Sequence, residues 1–114
     1  MDAVLLVSGD GGRSASAGEL GLRTGRLTSW VARLRDAGVL REGGHIDGPV
    51  LRLRTSRGDT ALIDMPAEVG GRVHAWLLIS VPDMDAALRV ARSCPEATFG
   101  DVRVLPVDSQ GRLP

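Results

Sequence analysis

The chain of 114 residues has no lysine, no tyrosine, no asparagine, a single cysteine and three aromatic side chains. Its arginines, 14 in all, balance 14 acidic residues, so the formal charge at pH 7 is zero. That balance argues against nucleic acid and anionic membranes as partners, because both demand an excess of cationic groups to release counterions or meet a surface potential. Three aromatics also leave few platforms on which unpaired bases can stack. A lone Cys94 supports neither an internal disulfide nor a CxxC metal or redox motif, and no His or Lys stands close in sequence to activate it. It reads as a small buried thiol. No apolar run approaches the roughly 18 residues that cross a bilayer; the longest are Ala3 to Val7 and Ala75 to Ile79. The opening Met-Asp lacks the basic region of a signal peptide, which implies a cytoplasmic protein. The absence of lysine fits a GC-rich genome as well as it fits a chemical requirement.

What remains is 43% apolar, enough for one core. A single domain over 1–107, followed by a loose tail at 108–114, is the expected organisation. Ala3 to Ser8 reads as a buried strand ending in the flexible Gly9-Asp10-Gly11-Gly12. Ser16 and Glu19 have the spacing of a capping box, so a helix should begin near Ala17. Leu27, Trp30, Val31 and Leu34 then repeat at helical spacing, and Gly38 supplies the C-terminal stop. Gly21 and Gly25 predict fraying or a break in the first half of that helix.

After a turn at Gly43-Gly44, Val50 to Thr55 alternates Leu51 and Leu53 with Arg52 and Arg54. Ser56-Arg57-Gly58-Asp59 turns the chain into Thr60 to Asp64, completing a hairpin. In the longer strand Val73 to Val81, alternation puts Ala75, Leu77 and Ile79 on one face and His74, Trp76 and Leu78 on the other. Asp83 caps a second helix carrying Met84, Ala87, Leu88 and Ala91, Pro95 stops it, and a last strand covers Asp101 to Val107. This order predicts an α+β fold: a ferredoxin-like split βαβ domain with an antiparallel sheet and both helices on one face. The other face, with Trp76 and Leu78, would be open to water. A homodimer joined through that face, a dimeric α+β barrel, would bury it and enclose a cavity.

Several segments resemble the YCII-related proteins, above all their DGPF-domain branch. These are the opening Val4-Leu5-Leu6-Val7 with Gly9-Asp10, the helix end Leu34-Arg35-Asp36-Ala37-Gly38-Val39-Leu40, the run from Leu77-Leu78-Ile79 through Val81-Pro82-Asp83-Met84-Asp85-Ala86-Ala87-Leu88 to Cys94-Pro95, and the closing Val102 to Val107. The resemblance implies a dimeric ferredoxin-like α+β barrel in a small bacterial protein. The position matching the DGPF signature is Ile63-Asp64-Met65-Pro66-Ala67-Glu68, which keeps Asp and Pro and lacks Gly and Phe; a literal Asp47-Gly48-Pro49-Val50 lies before the hairpin. In the YCII branch a histidine on the first helix and this aspartate are the proposed catalytic pair. Leu27 stands where that histidine would be.

Asp64 with His74 would restore such a pair from another strand, since an imidazole and a buried carboxylate can exchange protons with a bound metabolite. The plainer reading of Asp64 is a turn cap before Pro66, and of His74 a packed strand residue. Arg52 and Arg54 share a strand face and could hold a carboxylate or phenolate, or simply be solvated, and Trp76 would form a wall. His45 with Asp47 is a second pair, in a glycine-rich loop. Gly9 to Ser14 follows a strand but lacks the spacings of a phosphate or dinucleotide loop, and two histidines without a carboxylate cluster do not suggest a metal, so no cofactor is expected. The leading expectation is a site for a small, oxygenated, anionic metabolite, acting by elimination, isomerisation or cyclisation. The alternative is a non-catalytic binding or regulatory accessory protein, since DGPF-like proteins are often associated with extracytoplasmic-function sigma factors.

Overall fold

The computed structural model describes residues 1–9, 16–46, 51–64 and 72–108, with backbone alone for 51, 52, 62–64 and 72. The Asp10 to Ser14 loop, Asp47-Gly48-Pro49-Val50, Met65 to Glu68 and the chain beyond Asp108 lie outside the described residues. The elements follow the order β1 (Asp2–Gly9), α1 (Ala17–Asp36), β2 (Leu40–His45), β3 (Leu51–Ser56), β4 (Asp59–Asp64), β5 (Arg72–Ser80), α2 (Met84–Arg92), a 3₁₀ turn (Pro95–Thr98) and β6 (Gly100–Val107).

Four strands make one sheet in the order β2-β5-β1-β6, with every described pair antiparallel. β1 and β2 therefore run in the same direction with β5 between them, and β5 and β6 are likewise separated by β1. This is the ferredoxin-like arrangement that the element order predicts. Pro106 falls on β6, at the sheet edge, where the missing N–H disrupts no interior ladder.

Local chemistry fixes the helix ends. Ser16 Oγ accepts the Glu19 N–H at 3.2 Å, and Asp83 Oδ1 accepts the Ala86 N–H at 2.8 Å. At the end of α1, Gly38 takes φ +74°, the Val39 N–H reaches the Leu34 carbonyl at 2.9 Å, and the Gly38 N–H reaches that of Arg35 at 3.0 Å. Such a termination needs a left-handed residue, which glycine supplies without strain. The helix runs unbroken through Gly21 and Gly25, contrary to the expected fraying. Both glycines face open space, and the packing of the following turns outweighs their propensity cost.

Both helices pack on one side of the sheet. Ala3, Leu5 and Val7 of β1, Ala75, Leu77 and Ile79 of β5, Trp30 of α1, and Ala86, Ala87 and Ala91 of α2 form the buried cluster. Trp30 Nε1 donates to Ser93 Oγ at 2.8 Å, tying α1 to the end of α2. No helix among the described residues is long and apolar enough to cross a membrane.

Two strand features differ from the expected pattern. Gly43 and Gly44, expected as a turn, lie inside β2, paired with Leu77 and Trp76 of β5. Glycine weakens a strand on its own, but here a side chain would collide: a Cβ at Gly44 would lie 2.8 Å from Trp76 Nε1. The β3–β4 hairpin forms a separate two-stranded sheet. Its turn has Arg57 at φ 51° and Gly58 at φ 83°, the double left-handed geometry that matches strand twist, and Leu53 remains 67% exposed.

The contact between β1 and β6 is testable. Gly100 opposes Gly9, and a Cβ on Gly100 would collide with the Ser8 carbonyl oxygen and the Gly9 Cα. Gly100→Ala is expected to destabilise the fold by about 1–3 kcal/mol, whereas Gly21→Ala on the open helix face should stabilise it by about 0.5–1 kcal/mol. Urea unfolding of the two variants checks both signs.

Candidate functional site

The site begins with an irregularity in pairing. Val7 of β1 opposes Ala75 and Ser8 opposes Val73, so His74 is an extra residue in β5. Such a bulge breaks the two-residue alternation and re-aims a side chain. Strict alternation would set His74 beside Trp76 on the open face. Instead it lines a cavity of about 270 Å³ on the helix side, together with Arg23, Thr24 and Leu27 of α1, His45 of β2 and Glu96 of the 3₁₀ turn. The absent side chain of Gly9 makes room for the ring: a Cβ there would lie 2.7 Å from His74 Nε2 and 3.5 Å from Glu96 Oε2. The imidazole and the carboxylate thus flank the same point of β1.

A buried ion pair frames this cavity. Arg23 Nη2 donates to Glu96 Oε2 at 2.9 Å and Arg23 Nε to Glu96 Oε1 at 3.5 Å, with both side chains only 8% exposed. The guanidinium carbon also lies 3.8 Å from the centroid of the Phe99 ring, a cation–π contact. The pair joins residues 73 positions apart and holds α1 against the turn that follows α2. Sequence reasoning missed it. The available signal was Arg23 itself, four residues before Leu27 on the apolar stripe of α1, where a charge demands a buried partner.

The other residues singled out in the sequence are dispersed or only partly described. His45, expected in a loop, ends β2 opposite Ala75 and reaches the cavity. Asp64 ends β4 opposite Leu51, Arg52 pairs with Ile63 one step further along the hairpin, and the side chains of Asp64 and Arg52 lie outside the described residues. Arg54 is exposed on the hairpin. Trp76 is half-buried, its indole against Gly44. Cys94 is buried, and burial pushes its thiol above the ordinary range, with the Glu96 charge acting in the same direction against backbone hydrogen bonds at Glu96 and Ala97. The native state therefore favours the protonated thiol. This contribution to stability is present at neutral pH and lost as pH rises past the raised value, the opposite of what a thiolate nucleophile requires.

The ion pair can be tested by a mutant cycle. Removing one partner, as in Glu96→Gln or Arg23→Met, is expected to cost about 3–5 kcal/mol, since a buried charge is left behind. The Arg23→Met/Glu96→Gln double variant should cost clearly less than the two single losses combined. Thermal or urea unfolding of the four proteins checks the coupling.

No protein-family model matches the chain. No curated protein matches it in sequence. Among solved structures the chain is similar to the 5-chloro-2-hydroxyhydroquinone dehydrochlorinase TftG from Burkholderia phenoliruptrix AC1100, in complex with 2,5-dihydroxybenzoquinone, with a TM-score of 0.50. The two share 14% sequence identity over 95% of this chain and 94% of that one, so the likeness is one of fold.

Proposed function

We propose that the protein binds a small oxygenated anionic metabolite in the His74 cavity and acts on it by acid–base chemistry. The observation that carries this reading is the convergence of two imidazoles, His74 and His45, on one cavity framed by the Arg23–Glu96 pair. Imidazole is the side chain best able to exchange protons near neutral pH, and two in one cavity can divide the roles. One neutral ring takes a proton from the metabolite, the freed electron pair forms a new double bond or ring bond, and a protonated ring delivers a proton to the departing or rearranged atom. Elimination, isomerisation and cyclisation all have this form. A fold shared with a dehydrochlorinase that holds 2,5-dihydroxybenzoquinone is consistent with it, as is the resemblance to YCII-related and DGPF-domain proteins.

Asp64 stays in this proposal as a further base and Arg52 and Arg54 as anion holders, while Trp76, its indole against Gly44 on the other side of β5, does not wall this cavity. In the chain the base of the hairpin follows His45 and precedes Arg72, two residues before His74, and that nearness in sequence supports drawing it toward the two histidines. Asp64 and Arg52 lie at that base, while Arg54 is further out. With 2,5-dihydroxybenzoquinone as probe, calorimetry should register binding to the unmodified protein and a loss of at least about tenfold in affinity for His74→Ala. Asp64→Asn tests the hairpin's share in the same titration. Unchanged affinity in His74→Ala would overturn the assignment of this cavity.

The same proposal includes a homodimer through the open sheet face. Leu78, Val4 and Leu105 stand in one cross-strand row there, with Leu105 44% exposed. Covering such a row with a second copy removes apolar surface from water. Sedimentation equilibrium should show a dimer that Leu78→Glu dissociates; a monomer in the unmodified protein would refute this part.

A further inference from the structure

Leu27 and His45 also line a second cavity, of about 310 Å³, in the groove between α1 and the β2–β5 edge of the sheet. The roof consists of Leu27, Val31 and Arg35, one residue from each of three successive turns, so the groove extends about 12 Å along the helix axis at 1.5 Å per residue. The floor is Leu40, Ala75 and Leu77, with Gly43 adding no side chain at all. Space exists here because the sheet presents glycine and alanine where the helix presents Leu27 and Val31. The shared Leu27 and His45 make the two cavities adjacent, with these two side chains at the border between the lobes.

The lobes differ in character. The one at His74 holds charged and hydrogen-bonding groups, of which Arg23 and Glu96 are fixed in place by burial. The groove is apolar for most of its length and ends at Arg35, whose exposed guanidinium forms no ion pair among the described residues. No carboxylate lines the groove. An apolar channel with a cation at its far end and an imidazole at its near end is complementary to an amphipathic anion.

We infer that the cleft takes an amphipathic carboxylate, with an oxygenated ring in the His74 lobe, a short apolar tether along Leu27, Val31 and Ala75, and the carboxylate on Arg35. This deepens the proposed function and rests on it for the ring, while the groove and Arg35 stand on their own geometry. It predicts a preference for ring compounds that bear an acidic side chain over the bare ring.

Three probes separate the lobes by calorimetry: 2,5-dihydroxybenzoquinone for the ring, 4-phenylbutanoate for tether and carboxylate, and 2,5-dihydroxybenzoquinone carrying a 4-carboxybutyl chain on ring carbon 3 for both. The joined probe is expected to bind on the order of tenfold more tightly than the bare ring. Arg35→Met, at an exposed position, and Ala75→Leu, which fills the groove, should each abolish that gain and leave the bare ring within about twofold. A joined probe no tighter than the bare ring, or a gain retained in Arg35→Met, would overturn the inference. Binding of 4-phenylbutanoate that depends on Arg35, with none of the bare ring, would support the groove and refute the ring assignment.

Discussion

An arginine and a glutamate taken out of water together lose hydration worth several kcal/mol per ion, and their attraction compensates only where the geometry is close and the remaining polar atoms are engaged. Arg23 and Glu96 meet the first of these conditions through a 2.9 Å contact and a second at 3.5 Å, with the Phe99 ring against the guanidinium. Their burial has a directional consequence that a hydrophobic contact would lack. It fixes the azimuth of α1 relative to the turn after α2, and so decides which residues of α1 look into the space beside β1. Thr24 and Leu27, one and four residues along the helix from Arg23, face the same cavity for that reason.

The sheet contributes a matching constraint. An ordinary antiparallel ladder would hand the open face a histidine and deprive the helix side of any titratable group from β5. The extra residue at His74 breaks that rule at one position, and the glycine at position 9 provides the space the re-aimed ring needs. A similar irregularity in β2, where Leu40 pairs with Ile79 and Glu42 with Leu78, frees Arg41 to reach the Asp2 carboxylate at 2.8 Å. At 56% side-chain exposure of its arginine this bond contributes little to stability, whereas the bulge at His74 determines where chemistry can occur.

How much of this could be read from the sequence follows from the range of the interactions involved. Ser16, Gly38 and Asp83 act on residues within a few positions of themselves, so both helices are legible with their ends. β1 and β5 are continuous apolar runs and equally plain, and with the helices they suffice to predict the ferredoxin-like order. β2 is not legible, because Gly43 and Gly44 have poor strand propensity and are required only by Trp76 of a partner strand more than thirty residues away. The bulge is a property of register between two strands and leaves no periodic trace in either. His74 was therefore found as a candidate but set on the wrong face, while Arg23 and Glu96 were missed, since neither identifies its partner across 73 residues.

The cleft as a whole is made by small residues. Gly9 admits the imidazole, Gly43 and Ala75 leave the groove under α1 unfilled, and Gly44 accommodates the indole on the other side of the same strand. Of these positions Gly43 and Ala75 forgo packing that a larger side chain would supply, in a chain short enough that its core has little to spare, whereas the space at Gly9 and Gly44 is taken by His74 and Trp76. The groove opens to solvent along the exposed Thr28, Ala32, Arg35 and Gly43, so water can enter it and the lost packing costs less than an enclosed void would. The concentration of glycine and alanine where α1 crosses β2 and β5, against the close packing of Trp30, Leu5 and Ile79 elsewhere, is what gives the inferred ligand its room. The ligand inferred above would be elongated along the helix, polar at the His74 end, apolar in the middle, and anionic where the groove opens at Arg35.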